Sequence, residues 1–114
     1  MAYPLDRGEL GMWAQLIKAR LRPGRDAELA KLFEQLRAIE QPGSGLLHST
    51  AMRDQKDPSE LYLLVVFESE AKAREREGDV RREEGLKEAR AIMAELFDGP
   101  PQFVDLTVAE DWAP

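Results

Sequence analysis

Apolar positions along this chain alternate, drift to a helical period, and then alternate again. From Met12 to Leu21, MWAQLIKARL, one parity carries Trp13, Gln15, Ile17, Ala19 and Leu21, and the other carries Met12, Ala14, Leu16, Lys18 and Arg20. Period two marks a strand, and apolar residues on both parities imply burial on both faces at its start. Arg22-Pro23-Gly24 ends it. From about Arg25 to Gln41 the steps become three and four, with Leu29, Leu32, Phe33, Leu36 and Ile39 on one stripe. That predicts a helix, with Gly24 or Asp26 as its cap and Pro42-Gly43 as its stop.

Leu46 to Arg53 reads as a second strand on which His48 shares a face with Leu46, Thr50 and Met52. Asp54 to Ser59 is a polar turn, short enough for a hairpin. Glu60 to Phe67 is a third strand, with Leu61, Leu63, Val65 and Phe67 on one face and Tyr62, Leu64 and Val66 on the other. Ser69 to Phe97 is helical in two pieces. Ser69 serves as an N-cap for the first piece, Gly78-Asp79 is the break, and Asp79 caps the second piece. Asp98-Gly99-Pro100-Pro101 stops that second piece, and Gln102 to Ala109 forms the last strand.

The order β-α-β-β-α-β predicts an α+β, ferredoxin-like fold: a four-stranded antiparallel sheet with the helices on one face. Residues 1–11 lack periodicity and read as an N-terminal arm, leaving 12–114 as one domain. Helices on one side leave the other sheet face bare, yet the first and third strands are apolar on both. A second copy packed sheet against sheet would cover it, so a homodimer is expected.

Composition narrows the function. The 114 residues carry a net charge of −6, which disfavours nucleic acid and an acidic membrane surface as partners. No cysteine is present, which removes disulfides, thiolate metal sites and a cysteine nucleophile. No signal peptide or membrane span is evident, so a cytoplasmic location is expected. Asparagine is absent too, which with the dense Glu, Arg and Lys leans toward a heat-tolerant source.

The turn chemistry carries a resemblance. Arg22-Pro23-Gly24 before the first helix, Pro42-Gly43 after it, Arg53-Asp54, Asp57-Pro58, and LYLLVVFES from Leu61 to Ser69 resemble the dimeric α/β-barrel superfamily. Within it, the chain resembles antibiotic biosynthesis monooxygenase-like domains over about Met12 to Ala109. That resemblance implies cofactor-free oxidation of a small aromatic or quinol-type molecule, in a pocket between sheet and helices or between two sheets. No cofactor is expected. The haem-degrading branch of the superfamily needs an asparagine that this chain lacks. The alternative is a non-catalytic homodimeric module that binds or senses a small molecule.

Candidate chemistry rests on few residues. His48 is the only histidine, and an imidazole can act as a base near neutral pH; its rival role is an ordinary strand residue. Asp105 interrupts an apolar strand, and an inward-facing carboxylate there would gain a raised pKa; its rival role is an edge position. Trp13 and Tyr62 suit a pocket wall, Thr50 shares the His48 face, and Arg20 could hold an anion or mark where the strand leaves the core. Glu70–Arg74, Glu77–Arg81 and Glu83–Lys87 stand four residues apart, the pattern of a solvated helix face, which also absorbs Arg81 and Arg82.

Overall fold

A computed structural model describes residues 11–114. The expected arm lies almost wholly outside these described residues. The elements run β1 (Trp13–Arg20), α1 (Asp26–Ala38), β2 (Leu46–Arg53), β3 (Glu60–Phe67), α2 (Glu70–Glu77), a 3₁₀ turn (Val80–Arg82), α3 (Glu83–Leu96) and β4 (Gln102–Thr107). The strands form one antiparallel sheet in the order β2-β3-β1-β4, the split arrangement the element order predicts.

Local chemistry explains most boundaries. Ser69 is extended and its hydroxyl accepts from the Lys72 N–H, which opens α2. Asp79 accepts from the Arg81 N–H and starts the 3₁₀ turn, so the Gly78-Asp79 break divides the helical run as expected. At α1 neither Gly24 nor Asp26 caps. Arg25 occupies the N-cap without a side-chain hydrogen bond, and Asp26 instead lies in the first turn, where its charge suits the helix dipole.

The core has two parts. The larger joins Ala19 and Leu21 of the β1 end, Leu61, and the apolar stripes of α1 and α3, including Leu29, Leu32 and Ala89. The smaller packs Trp13 and Phe67 beneath Ala73 of α2. Trp13 and Phe67 face each other across β1 and β3 with ring centroids 6.0 Å apart. α1 and α3 approach closely at Gly85, whose carbonyl accepts from the Gln35 side chain.

The far face of the sheet carries no helix. Register places Ala14, Leu16 and Lys18 beside Tyr62, Leu64 and Val66, flanked by His48, Thr50 and Met52 on one side and Val104 and Leu106 on the other. Met52, Val104 and Leu106 are 42%, 39% and 38% exposed. This is a broad apolar surface for a molecule of this size.

One feature of β2 departs from strict alternation. Leu46 pairs with Phe67 while His48 pairs with Val66, so Leu47 is an extra residue in a bulge. The bulge turns Leu46 toward the helices and leaves His48, Thr50 and Met52 facing away from them. His48 therefore does not share a face with Leu46.

Candidate functional site

Between the two parts of the core the helices lift off the sheet and leave a cavity of about 810 Å³. Its floor is the middle of the sheet: Gln15 and Ile17 of β1, Leu63 and Val65 of β3, and Ser49 and Ala51 of β2. Aromatic walls come from Trp13, Phe33, Phe67 and Phe103. The size and lining suit a small polycyclic molecule.

The roof is cationic. Arg37, Arg76, Arg82 and Arg90 line the cavity with only two carboxylates, Glu40 and Glu77. Both carboxylates are engaged. Arg76 holds Glu40 through two nitrogens, with Nη2 at 2.6 Å from Oε1 and Nε at 3.1 Å from Oε1 and 3.2 Å from Oε2. Arg74 holds Glu77 at 2.9 Å. Arg76 also lies over the Phe67 ring at 5.3 Å, and Arg74 over the Trp13 ring at 4.8 Å. The pair of stacked arginines pins α2 above the smaller core.

Arg82 differs from its neighbours. It is 5% exposed, its Nη1 donates to the Arg76 carbonyl at 3.1 Å, and its Nε is buried without a hydrogen-bond partner. Burial and the nearby charge of Arg76 lower its pKa, with Glu40 and Asp79 acting in the opposite sense. A guanidinium nonetheless stays protonated in proteins. The sequence absorbs Arg82 into a solvated charge run; the structure places it in the cavity wall. The only forewarning is the Gly78-Asp79 break, which re-aims the chain just before it. The neighbouring Arg81 is a surface residue bound to Asp79 at 2.8 Å.

The candidate residues read from sequence separate onto two faces and one sheet end. Trp13 lines the cavity. Asp105 is on the same sheet face as Gln15, whose Nε2 donates to it at 2.9 Å, and it also pairs with Arg74 at 3.1 Å. These hydrogen bonds, Gln15 first and then Arg74, hold the Asp105 carboxyl below its usual range. Of the two roles open to it, Asp105 takes the edge position, exposed and ion-paired on β4, and not that of a desolvated carboxylate with a raised pKa. His48, Thr50 and Tyr62 stand on the opposite face, away from the cavity. Arg20 sits at the sheet end with Asp57 and Glu60, bonded to both carboxylates. Of the helix-surface pairs, Glu70–Arg74 forms, whereas Glu77 turns to Arg74, Arg81 to Asp79, and Lys87 to Glu84.

Among the described residues there is no cluster of histidine and carboxylate side chains that could hold a metal ion, and no helix long and apolar enough to cross a membrane.

Several carboxylates are tuned downward, which sets an acid response. Hydrogen bonds from the Arg81 side chain and backbone bring Asp79 to about 2. For Glu40, burial pushes the pKa up, but the hydrogen bonds from Arg76 and Ser44 and the charges of Arg76 and Arg82 outweigh it and leave it lowered. Asp57 is lowered by Arg20 and by Ser59. Groups depressed in the folded state stabilise it above their unfolded values, roughly pH 4, and lose that contribution as pH falls through the folded values. The thermal midpoint is therefore expected to hold steady from pH 7 to 5 and to drop between pH 4 and about 2. Asp79→Asn, which keeps an accepting cap, should flatten part of that drop; an unchanged midpoint down to pH 2 in the wild type would contradict the assignment.

A four-stranded antiparallel sheet in this order, with its helices on one face, defines a ferredoxin-like α+β protein. The family model for antibiotic biosynthesis monooxygenase matches residues 12–79, and the chain belongs to that family. No curated protein matches the sequence. Among solved structures, a Caulobacter crescentus protein assigned to the antibiotic biosynthesis monooxygenases is 23% identical, with a TM-score of 0.71 over 88% of this chain and 92% of that one. SnoaB from Streptomyces nogalater, a cofactor-independent oxygenase, is 15% identical with a TM-score of 0.68 over 88% and 95% of the two chains. Rv0793 from Mycobacterium tuberculosis is 17% identical with a TM-score of 0.69, covering 90% of this chain and all of that one. These likenesses establish the fold.

Proposed function

We propose that this protein oxidises a small aromatic or quinol-type molecule with dioxygen, without a cofactor, in the cavity between sheet and helices. The observation that carries this reading is the aromatic cavity itself, walled by Trp13, Phe33, Phe67 and Phe103. The family and the likeness to SnoaB support the same reaction type. In the reaction, an ionised phenol or related ring supplies the electrons. One oxygen atom of O₂ becomes a new carbonyl at a ring C–H position, and that hydrogen and the phenolic one leave with the other oxygen atom as water. The protein must hold the ring, exclude bulk water and stabilise the ionised oxygen.

The same reading includes a homodimer formed through the helix-free sheet face. In that arrangement His48, Thr50 and Tyr62 lie between the two sheets.

The test is oxygen uptake with a panel of naphthols and quinols, comparing wild type with Ile17→Trp, which fills the cavity floor. Turnover is expected in the wild type and a loss of at least tenfold in Ile17→Trp. Absence of turnover with every compound counts against the reading. A hundredfold loss in His48→Ala with normal turnover in Ile17→Trp would move the chemistry to the space between the sheets. One observation favours a second reading, a binding module: every described carboxylate with a shifted pKa is lowered, so none is tuned as a base near pH 7. Ligand binding without oxygen uptake would select it.

A further inference from the structure

The cavity has an apolar floor and a cationic roof, and the two ask for different parts of one ligand. Four arginines line it in a chain whose net charge is −6, so the positive field is concentrated against the overall balance of the molecule. Their states are not equivalent. Arg76 is neutralised by Glu40. Arg37 and Arg90 are exposed residues of α1 and α3 that line the cavity, and neither side chain has an ion-pair or hydrogen-bond partner among the described residues. Arg82 is buried at greater depth, carries an orphan Nε, and makes its one side-chain hydrogen bond to a neutral carbonyl.

A buried guanidinium with no hydrogen-bonded carboxylate is an expensive arrangement, and the charges of Glu40 and Asp79 offset its burial only in part. Its bond to the Arg76 carbonyl helps close the C-terminal end of α2, but that engages Nη1 and leaves Nε buried and unpaired. The charge of Arg76 adds to the penalty. An anion placed in the cavity would relieve both terms, because it would supply acceptors to the Arg82 nitrogens and offset the charges around them. The planar fork of donors matches a carboxylate better than it matches a neutral hydroxyl.

We infer that the cavity takes a planar aromatic anion, its negative group seated against Arg82 and its ring against Trp13, Phe33 and Phe67, with Arg37 and Arg90 drawing it in. This rests on the cavity being the ligand site, as proposed above, and it specifies the class of ligand: an aromatic acid rather than a neutral ring. Arg90 and Phe103 also line an adjoining groove of about 460 Å³ with Arg22 and Phe97, so a longer acid has room to extend along α3.

The test is isothermal titration at pH 7 with 1-naphthoate and with its neutral counterpart 1-naphthalenemethanol. The acid is expected to bind at least tenfold more tightly. Arg82→Gln should remove most of that preference while leaving the alcohol within about threefold of its wild-type affinity. Raising the salt concentration should weaken the acid and spare the alcohol. Should Arg82→Gln fail to fold, the exposed double variant Arg37→Gln/Arg90→Gln tests the same field and should weaken the acid severalfold. Equal affinities for acid and alcohol, acid binding insensitive to all three arginines, or no binding of either compound would overturn the inference. The outcomes separate from those of the oxygenase reading. Acid-selective binding without oxygen uptake on any quinol supports this inference and defeats that one. Oxidation of neutral quinols without acid preference does the reverse.

Discussion

Gly85→Val is expected to destabilise the protein by about 3 kcal/mol, at the upper end of what overpacking a core costs. Gly85 lies in the first turns of α3, and a Cβ built on it meets Ile39 Cγ2 at 1.9 Å and Ile39 Cβ at 3.1 Å. Ile39 is β-branched and 7% exposed, so its methyl cannot swing aside. The helices must part, and the Gln35 bond to the Gly85 carbonyl goes with them. Gly85→Ala sets two effects against each other. Alanine favours the helix by about 1 kcal/mol over glycine, while the overlap costs about 1–3 kcal/mol, so a smaller net loss is expected. The check is urea unfolding at fixed protein concentration. Adding Ile39→Ala should recover about 1–2 kcal/mol of the Gly85→Ala loss as a coupling term in a double-mutant cycle. A Gly85→Ala variant more stable than wild type would show that the helix contact is looser than described.

Leu64→Asp should separate the proposed homodimer while leaving each chain folded. Leu64 stands at the middle of the helix-free face, opposite Leu16 on β1 and Thr50 on β2. In a lone chain its carboxylate would reach water beside partly exposed neighbours. In a sheet-on-sheet pair it would be desolvated twice over, near its own symmetry-related copy, at several kcal/mol per buried charge. The dissociation constant is therefore expected to rise at least a thousandfold, equivalent to roughly 4 kcal/mol. Light scattering and sedimentation read the mass, and far-UV circular dichroism confirms the fold. A wild type that is monomeric at micromolar concentration defeats the pairing directly. A Leu64→Asp variant that remains dimeric places the interface elsewhere.

These two substitutions show how unevenly the sequence speaks. The doubly apolar parity of β1 and β3 already announces a sheet that wants cover on both faces. Strand periodicity reports such burial, because alternate residues sample opposite faces wherever the backbone is regular. The contact at Gly85 has no such signature: a glycine inside a helical run reads only as a propensity penalty until its neighbour across the helix interface is known.

The order and most bounds of the elements, the antiparallel sheet, the Ser69 cap and the break at Gly78-Asp79 are all legible in the chain, since they depend on residues near one another along it. Which residues meet is a matter of the folded molecule. One bulge at Leu47 put His48 on the open face and Leu46 under the helices, because a single extra residue reverses a period-two pattern. Asp105 could be an inward carboxylate or an edge residue by sequence, and Gln15 of β1 and Arg74 of α2 decide for the edge residue and hold its pKa down. Arg82, ordinary within a charged run, became the buried cation of the cavity because the chain turns after Gly78 and brings it into the cavity wall. Burial and partnership are properties of distant segments brought together, and no local pattern in the chain encodes them.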